Sequence, residues 1–136
     1  MNVVVDTNVF VSAVFFGGVP GRILDYWKLG RMDLLMTEQI LSEYVDVLRR
    51  LAGRYPKIDP DPIVSLVVRK GVFVQPIHLS EQVCVDLDDD KFIAAAIGGH
   101  ATSIVSGDQH LVDVSGFRGV AVMRPAEFVA RFVADR

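Results

Sequence analysis

The residues of this sequence best suited to chemistry are carboxylates at four separated places: Asp6, Glu43, the cluster Asp86, Asp88, Asp89 and Asp90, and Asp108. Oxygen ligands of this kind suit Mg2+ and Mn2+. Gathered without a cation they would repel one another, and some would have to protonate. Gathered around one or two cations they would serve phosphodiester hydrolysis, because the ions lower the pKa of an attacking water and neutralise charge on the phosphate. Each acid also has a plain structural reading. Asp6 and Asp108 each follow a short apolar run, where an aspartate can cap the next helix by accepting backbone N–H bonds. Glu43 stands at the border of an apolar helix face and can be a solvated glutamate. Acids at 86–90 complement the dipole of the helix that follows. Four acids within residues 86–90 are more than capping needs, and a bound cation would relieve their repulsion.

The elements that must position these acids are legible as alternating short apolar runs and longer helical patterns. Val3-Val4-Val5 reads as a buried strand, as do Asp33–Met36, Val72–Gln75, Ser103–Ser106 and Val120–Val122. The clearest helix spans Glu38 to Leu51. Its apolar face is Ile40, Leu41, Tyr44, Val45, Leu48 and Leu51, and Thr37 is its N-cap. Further helices are predicted over Pro62–Lys70, from Asp89 to the stop at Gly98-Gly99, and from Pro125 to about Ala134. Residues Asp6 to Gly30 read as two helical pieces broken at Gly17-Gly18-Val19-Pro20-Gly21. Such alternation predicts an α/β fold of three layers, α/β/α, around a mostly parallel five-stranded sheet. Parallel sheets carry their functional groups beyond the carboxyl ends of the strands. Asp6 and Asp108 end strands, Asp90 opens a helix running back along the sheet, and Glu43 lies one turn into a helix after a strand. All four can therefore converge on one pocket.

Composition bounds the rest. The 136 residues suggest one domain spanning 1–136, and 51% hydrophobic residues suffice for a real core. No apolar run approaches the roughly 20 residues of a membrane helix. The N-terminus lacks a basic start followed by a signal-peptide apolar core, so a cytoplasmic location and no membrane association are expected. The single cysteine, Cys84, excludes an intramolecular disulfide and reads as a core residue. A net charge of −3 is not the footprint of nucleic-acid binding by charge alone. The basic stretch Arg49–Lys57 reads as a solvated helix face. His100 and His110 invite a general-base role, but a metal-bound hydroxide needs no histidine, and His110 reads as a solvent-facing turn residue. Val9-Phe10-Val11 and Phe15-Phe16 are read as mostly core, with some left for an interface.

In order along nearly the whole chain, the acids and their neighbours resemble the PIN-domain family, best known as the ribonuclease toxins of VapC-type toxin–antitoxin pairs. The residues that carry the resemblance are Val5-Asp6-Thr7-Asn8, Leu41-Ser42-Glu43-Tyr44, Asp90-Lys91-Phe92-Ile93-Ala94 and Ser106-Gly107-Asp108. The last has serine where the family has threonine, which keeps the hydroxyl. Asp88-Asp89-Asp90-Lys91-Phe92 and Arg124-Pro125-Ala126-Glu127-Phe128 resemble one subgroup of toxin components. The resemblance implies strand order 3-2-1-4-5. It implies a metal-dependent endoribonuclease in which Asp6, Glu43, Asp90 and Asp108 are catalytic and hold Mg2+ or Mn2+. Thr7, Asn8 and Ser106 would be supporting residues, and Asp88 a possible extra ligand. Spacing to Ile93-Ala94 favours Asp90 over Asp88 and Asp89. The implied partners are an RNA substrate, a cognate antitoxin protein and a second copy of the chain as a homodimer.

Two other classes compete. A non-catalytic PIN-like module that binds RNA or protein would ordinarily have lost one or more acids, and all are present here. An aspartyl-phosphate phosphatase would want a second aspartate two residues after the nucleophile, where this chain has Asn8. Flap-type nucleases usually carry more acids on a much larger chain.

Overall fold

The computed structural model describes residues 1–133. Five strands form one sheet: β1 (Asn2–Val5), β2 (Asp33–Met36), β3 (Val72–Phe73), β4 (Ser103–Val105) and β5 (Ala121–Met123). Their order is β3-β2-β1-β4-β5, and every pairing is parallel. The valines of β1 are buried because the strand is central and covered on both faces. Its register aligns Val3 with Leu34 on one side and with Ser103 on the other.

The helices are α1 (Thr7–Phe16), α2 (Gly18–Lys28), α3 (Glu38–Arg54), α4 (Asp61–Lys70), α5 (Asp90–Gly98), α6 (Gln109–Val112) and α7 (Pro125–Phe128), the last continuing as a π-helical stretch Val129–Val133. Side chains of α1 and α2 close over Val5 and Leu34, with Phe10, Ile23 and Trp27 filling the layer. Helix α5 packs on β1, β2 and β4. The result is the three-layer α/β/α fold that the alternating pattern predicts. Among the described residues, no single helix is long and apolar enough to cross a membrane.

Several boundaries differ from expectation, each for a local reason. The break between α1 and α2 is confined to Gly17, at φ 69° and ψ −120°, where the axis turns by 95°. Val19, Pro20 and Gly21 lie inside α2 instead, since proline needs no N–H partner in a first turn. Strand β3 stops short of Gln75. Val74 still donates to the Met36 carbonyl at 2.9 Å, and Pro76 beyond it has no N–H to give. Strand β5 begins one residue late because Val120 still closes a turn, accepting from the Gly116 N–H at 2.8 Å. The left-handed residue after α5 is His100, at φ 56°, rather than either glycine. Gly98 serves close packing: a Cβ there would lie 2.0 Å from the Gln75 carbonyl oxygen. Helix α3 runs three residues past Leu51, with Thr37 Oγ1 accepting from the Ile40 N–H at 3.2 Å as its cap. The reach of the last helix to Ala134 lies outside the described residues.

Candidate metal centre

The site forms at the carboxyl edge of β1 and β4. The Asp6 N–H donates to the Val105 carbonyl at 3.0 Å, which extends the ladder by one residue and places Asp6 against β4. Asp6 caps α1, its Oδ1 accepting from the Val9 N–H at 2.9 Å. Its Oδ2 accepts from the Ser106 hydroxyl. The cap and site readings of Asp6 therefore coexist, because one oxygen serves each neighbour. Ser106 is fully buried, and its Oγ also accepts from the Asp108 N–H at 2.9 Å, so one hydroxyl ties the two strand-end aspartates together. Asp108 Oδ1 caps α6 through the His110 N–H at 2.8 Å. Arg124 secures this loop, donating to the Gly107 carbonyl at 2.9 Å and to Gln109.

Glu43 reaches the same edge from α3. Thr7, buried at the start of α1, donates its hydroxyl to Glu43 Oε1. Lys91 Nζ lies 2.6 Å from Glu43 Oε2. Beneath them Tyr44 stacks on Phe10 with ring centroids 4.3 Å apart and donates its hydroxyl to the Val5 carbonyl. That contact locks α3 to α1 and to the end of β1. Lys91 was no part of the sequence-based site, because a lysine after an acidic run reads as ordinary charge balance.

The crowded aspartates, among which Asp90 is the expected metal ligand, differ in their surroundings. The Asp90 carboxylate is buried, and both oxygens are taken by backbone N–H groups, Oδ2 by Val83 at 2.9 Å and Oδ1 by Cys84 at 2.7 Å. Asp90 thus fastens the loop before α5. Its neighbour Asp89 is the last residue of the short 3-10 turn Leu87–Asp89. Ligand atoms of Asp89, Asp108 and His110 lie within 4.8 Å of one another. Asp88 is exposed, and Asp86 caps the 3-10 turn through the Asp88 N–H at 3.0 Å. Asn8 is exposed and lines an open groove with Asp6, Ser12, Pro20, Gly107, Asp108 and Pro125.

With this arrangement in place, similarity to known proteins is informative. Residues 2–110 match the family described as PIN domain. The chain belongs to the PIN-domain family. It is also 32% identical over 120 residues to an uncharacterized protein of Methanocaldococcus jannaschii, a match covering 84% of this chain and 75% of that protein. PIN domains are typically nucleases that use divalent metal ions.

The electrostatics of this PIN domain fit such an ion. Burial pushes the Asp6 carboxyl above its ordinary range, with Asp108 and Glu43 adding to the rise and the Ser106 and Val9 hydrogen bonds opposing it. Asp89 is pushed up to about 6, first by burial, then by the charges of Asp108 and Asp86. Asp89 Oδ2 is buried with no hydrogen-bond partner among the described residues. A buried acceptor left unpaired costs free energy, and a hard cation held by Asp89 and Asp108, with Asp6 nearby, would supply the missing partner. The Cys84 thiol is buried beside Asp90 and pushed up to about 12, which removes it as a nucleophile near neutral pH. His110 is exposed, as its sequence context suggests, yet its Nδ1 lies 3.8 Å from Asp108 Oδ1, close enough to contribute to the cluster.

Proposed function

We propose that this PIN domain is an endoribonuclease dependent on Mg2+ or Mn2+ and the toxin component of a toxin–antitoxin pair. The observation that carries the reading is the unpaired, buried Oδ2 of Asp89 on a residue clustered with Asp108 and His110 at the carboxyl edge of the sheet. Asp6, Asp89 and Asp108 hold the cation in this reading, with Glu43 alongside. The cation, when bound, acidifies a water and offsets phosphate charge. The chain's own residues do the positioning. Ser106 fixes the Asp6 carboxylate and the Asp108 backbone at once. Thr7 and Lys91 fix Glu43. Asn8 is exposed on the groove beside Asp6, and in this reading it donates to a phosphate oxygen of the RNA.

Support for a protein partner comes from an exposed aromatic patch. Phe16 is 60% exposed and meets Tyr55 edge-on at 5.3 Å, with exposed Val19 close in sequence. An antitoxin helix or a second copy of the chain would cover it. Cytoplasmic expression is part of the same proposal. The test is cleavage of structured RNAs by purified protein in Mn2+. Activity should vanish in chelator and fall at least about 100-fold in Asp6→Asn, more than loss of a ligand-supporting contact ordinarily costs. RNA binding without cleavage in the wild type would point to a non-catalytic module instead. Induced expression should arrest growth, and Asp6→Asn should relieve the arrest.

A further inference from the structure

Lys91 brings a positive charge in among these acids. Its side chain is only 8% exposed, although it carries an ammonium. Three contacts hold it: Glu43 Oε2 at 2.6 Å, the Asp88 carbonyl at 2.5 Å, and the Phe92 ring, whose centroid lies 4.9 Å from Nζ. Burying an ammonium is costly unless it is paired and hydrogen-bonded. Here it is both.

The consequence concerns how many cations the site can take. Glu43 is already balanced: Oε1 receives the Thr7 hydroxyl, and Oε2 is paired with the Lys91 ammonium, a full opposite charge with which neither Asp6 nor Asp89 is ion-paired among the described residues. A metal ion on Glu43 would sit within a few ångströms of the largely buried ammonium, and the two positive charges would repel. The opposite side of the site is different. Asp89 Oδ2 is unpaired among the described residues, and Asp89, Asp108 and His110 each offer a ligand atom within 4.8 Å of the others. Cation demand is therefore concentrated at Asp89 and Asp108, while the demand of Glu43 is met from within the chain.

Resting on the metal-dependent reading above, we propose that Lys91 occupies the place of a second metal ion. The site then binds a single divalent cation at Asp89, Asp108 and Asp6, and Lys91 is the positioning residue that neutralises Glu43. The chemistry is that of one divalent ion and one fixed ammonium facing the same phosphate.

The experiment is calorimetric titration of the full chain with MnCl2, with free Mn2+ counted by its electron paramagnetic resonance signal. Wild type should bind one Mn2+ per chain. Glu43→Gln should bind that ion within a few-fold of wild-type affinity, since Glu43 is not its ligand. Lys91→Met keeps the aliphatic stem over Phe92 but frees Glu43, and should bind a second, weaker Mn2+. Lys91→Arg restores the charge and should return the count to one. Two ions in wild type, loss of the ion in Glu43→Gln, or an unchanged single ion in Lys91→Met would each overturn the proposal. The two readings fail separately. Two ions together with Mn2+-dependent RNA cleavage would sink only the single-ion inference, whereas no Mn2+ binding at all would sink both.

Discussion

The division of labour between Asp89 and Asp90 makes a double prediction. Asp90→Ala removes the acceptor for the Val83 N–H at 2.9 Å and the Cys84 N–H at 2.7 Å. Hydrogen bonds to a charged group contribute about 1.5–3 kcal/mol each. Val83 is only half-buried, so the low end applies, and the loss should be about 3 kcal/mol. In a domain of this size each kcal/mol moves Tm by roughly 3–5 °C, which gives a drop of about 10 °C. Asp90→Asn keeps one acceptor oxygen and should lose about half as much. Asp89→Asn should behave in the opposite way. It removes an ionised, unpaired acid, so in chelator at pH 7 its Tm should equal or exceed that of wild type. Its gain from cation should collapse, whereas wild type at 100 times the dissociation constant gains about 2.7 kcal/mol, again close to 10 °C. Thermal melts of the three variants in EDTA and in graded Mn2+ separate these outcomes. A wild-type Tm for Asp90→Asn in EDTA, combined with loss of its Mn2+ response, would refute the reasoning.

Other consequences follow from the same geometry. Asp89 titrates at about 6 in the folded chain against an ordinary 3.8. Its contribution to stability is thus full below about pH 4 and is lost as pH rises through about 6. Melts in EDTA should accordingly show Asp89→Asn and wild type converging near pH 4, with the variant gaining the advantage above pH 6. Ser106→Ala deletes the hydroxyl that bonds Asp6 and the Asp108 N–H. Denaturant unfolding should register a loss of about 1–2 kcal/mol, since the Asp6 carboxylate and a partly buried N–H each lose a partner, and Mn2+ affinity should fall roughly 10-fold or more. Gly98→Ala forces a methyl group to within 2.0 Å of the Gln75 carbonyl oxygen. Overpacking of this kind should cost roughly 1–3 kcal/mol or more in the same assay, with RNA cleavage per folded molecule unchanged.

Much of the fold was legible because its signals are local. A valine run with no polar side chain must be a strand buried on both faces, and Thr37 followed by the period of Ile40, Tyr44 and Leu48 can only be a capped amphipathic helix. The strand order came from the PIN resemblance, since parallel pairing is set by long-range crossovers that no single segment encodes. Asp6, Glu43 and Asp108 were legible as candidates for the same reason as the strands, because each stands at an element boundary. The choice among the crowded aspartates was not. Adjacent residues at a 3-10 to α junction point about 100–120° apart around the axis. Which of them faces the sheet edge depends on where the turn is anchored. Here the anchor is the pair of N–H groups at Val83 and Cys84, a contact between a loop and a helix start that spacing to Ile93-Ala94 cannot report. Lys91 was missed because its meaning lies in Glu43, 48 positions away in the chain. The glycine pair was recognised as a helix end, but Gly98 is needed for the passage of residues 75–77 across α5, where Ile77 N–H meets the Ala94 carbonyl at 3.2 Å.

In the proposed centre Asp89 and Asp108 hold the cation beside Asp6, while Asp90 serves the loop. An anomalous-difference map from a crystal of the full chain grown with Mn2+ tests this arrangement most directly. The account predicts a single Mn2+ peak within ligand distance of Asp89 Oδ2 and Asp108, with Asp90 still bonded to Val83 and Cys84. A peak bound by Asp90, or no peak at the carboxyl edge of β1 and β4 at saturating Mn2+, would contradict it.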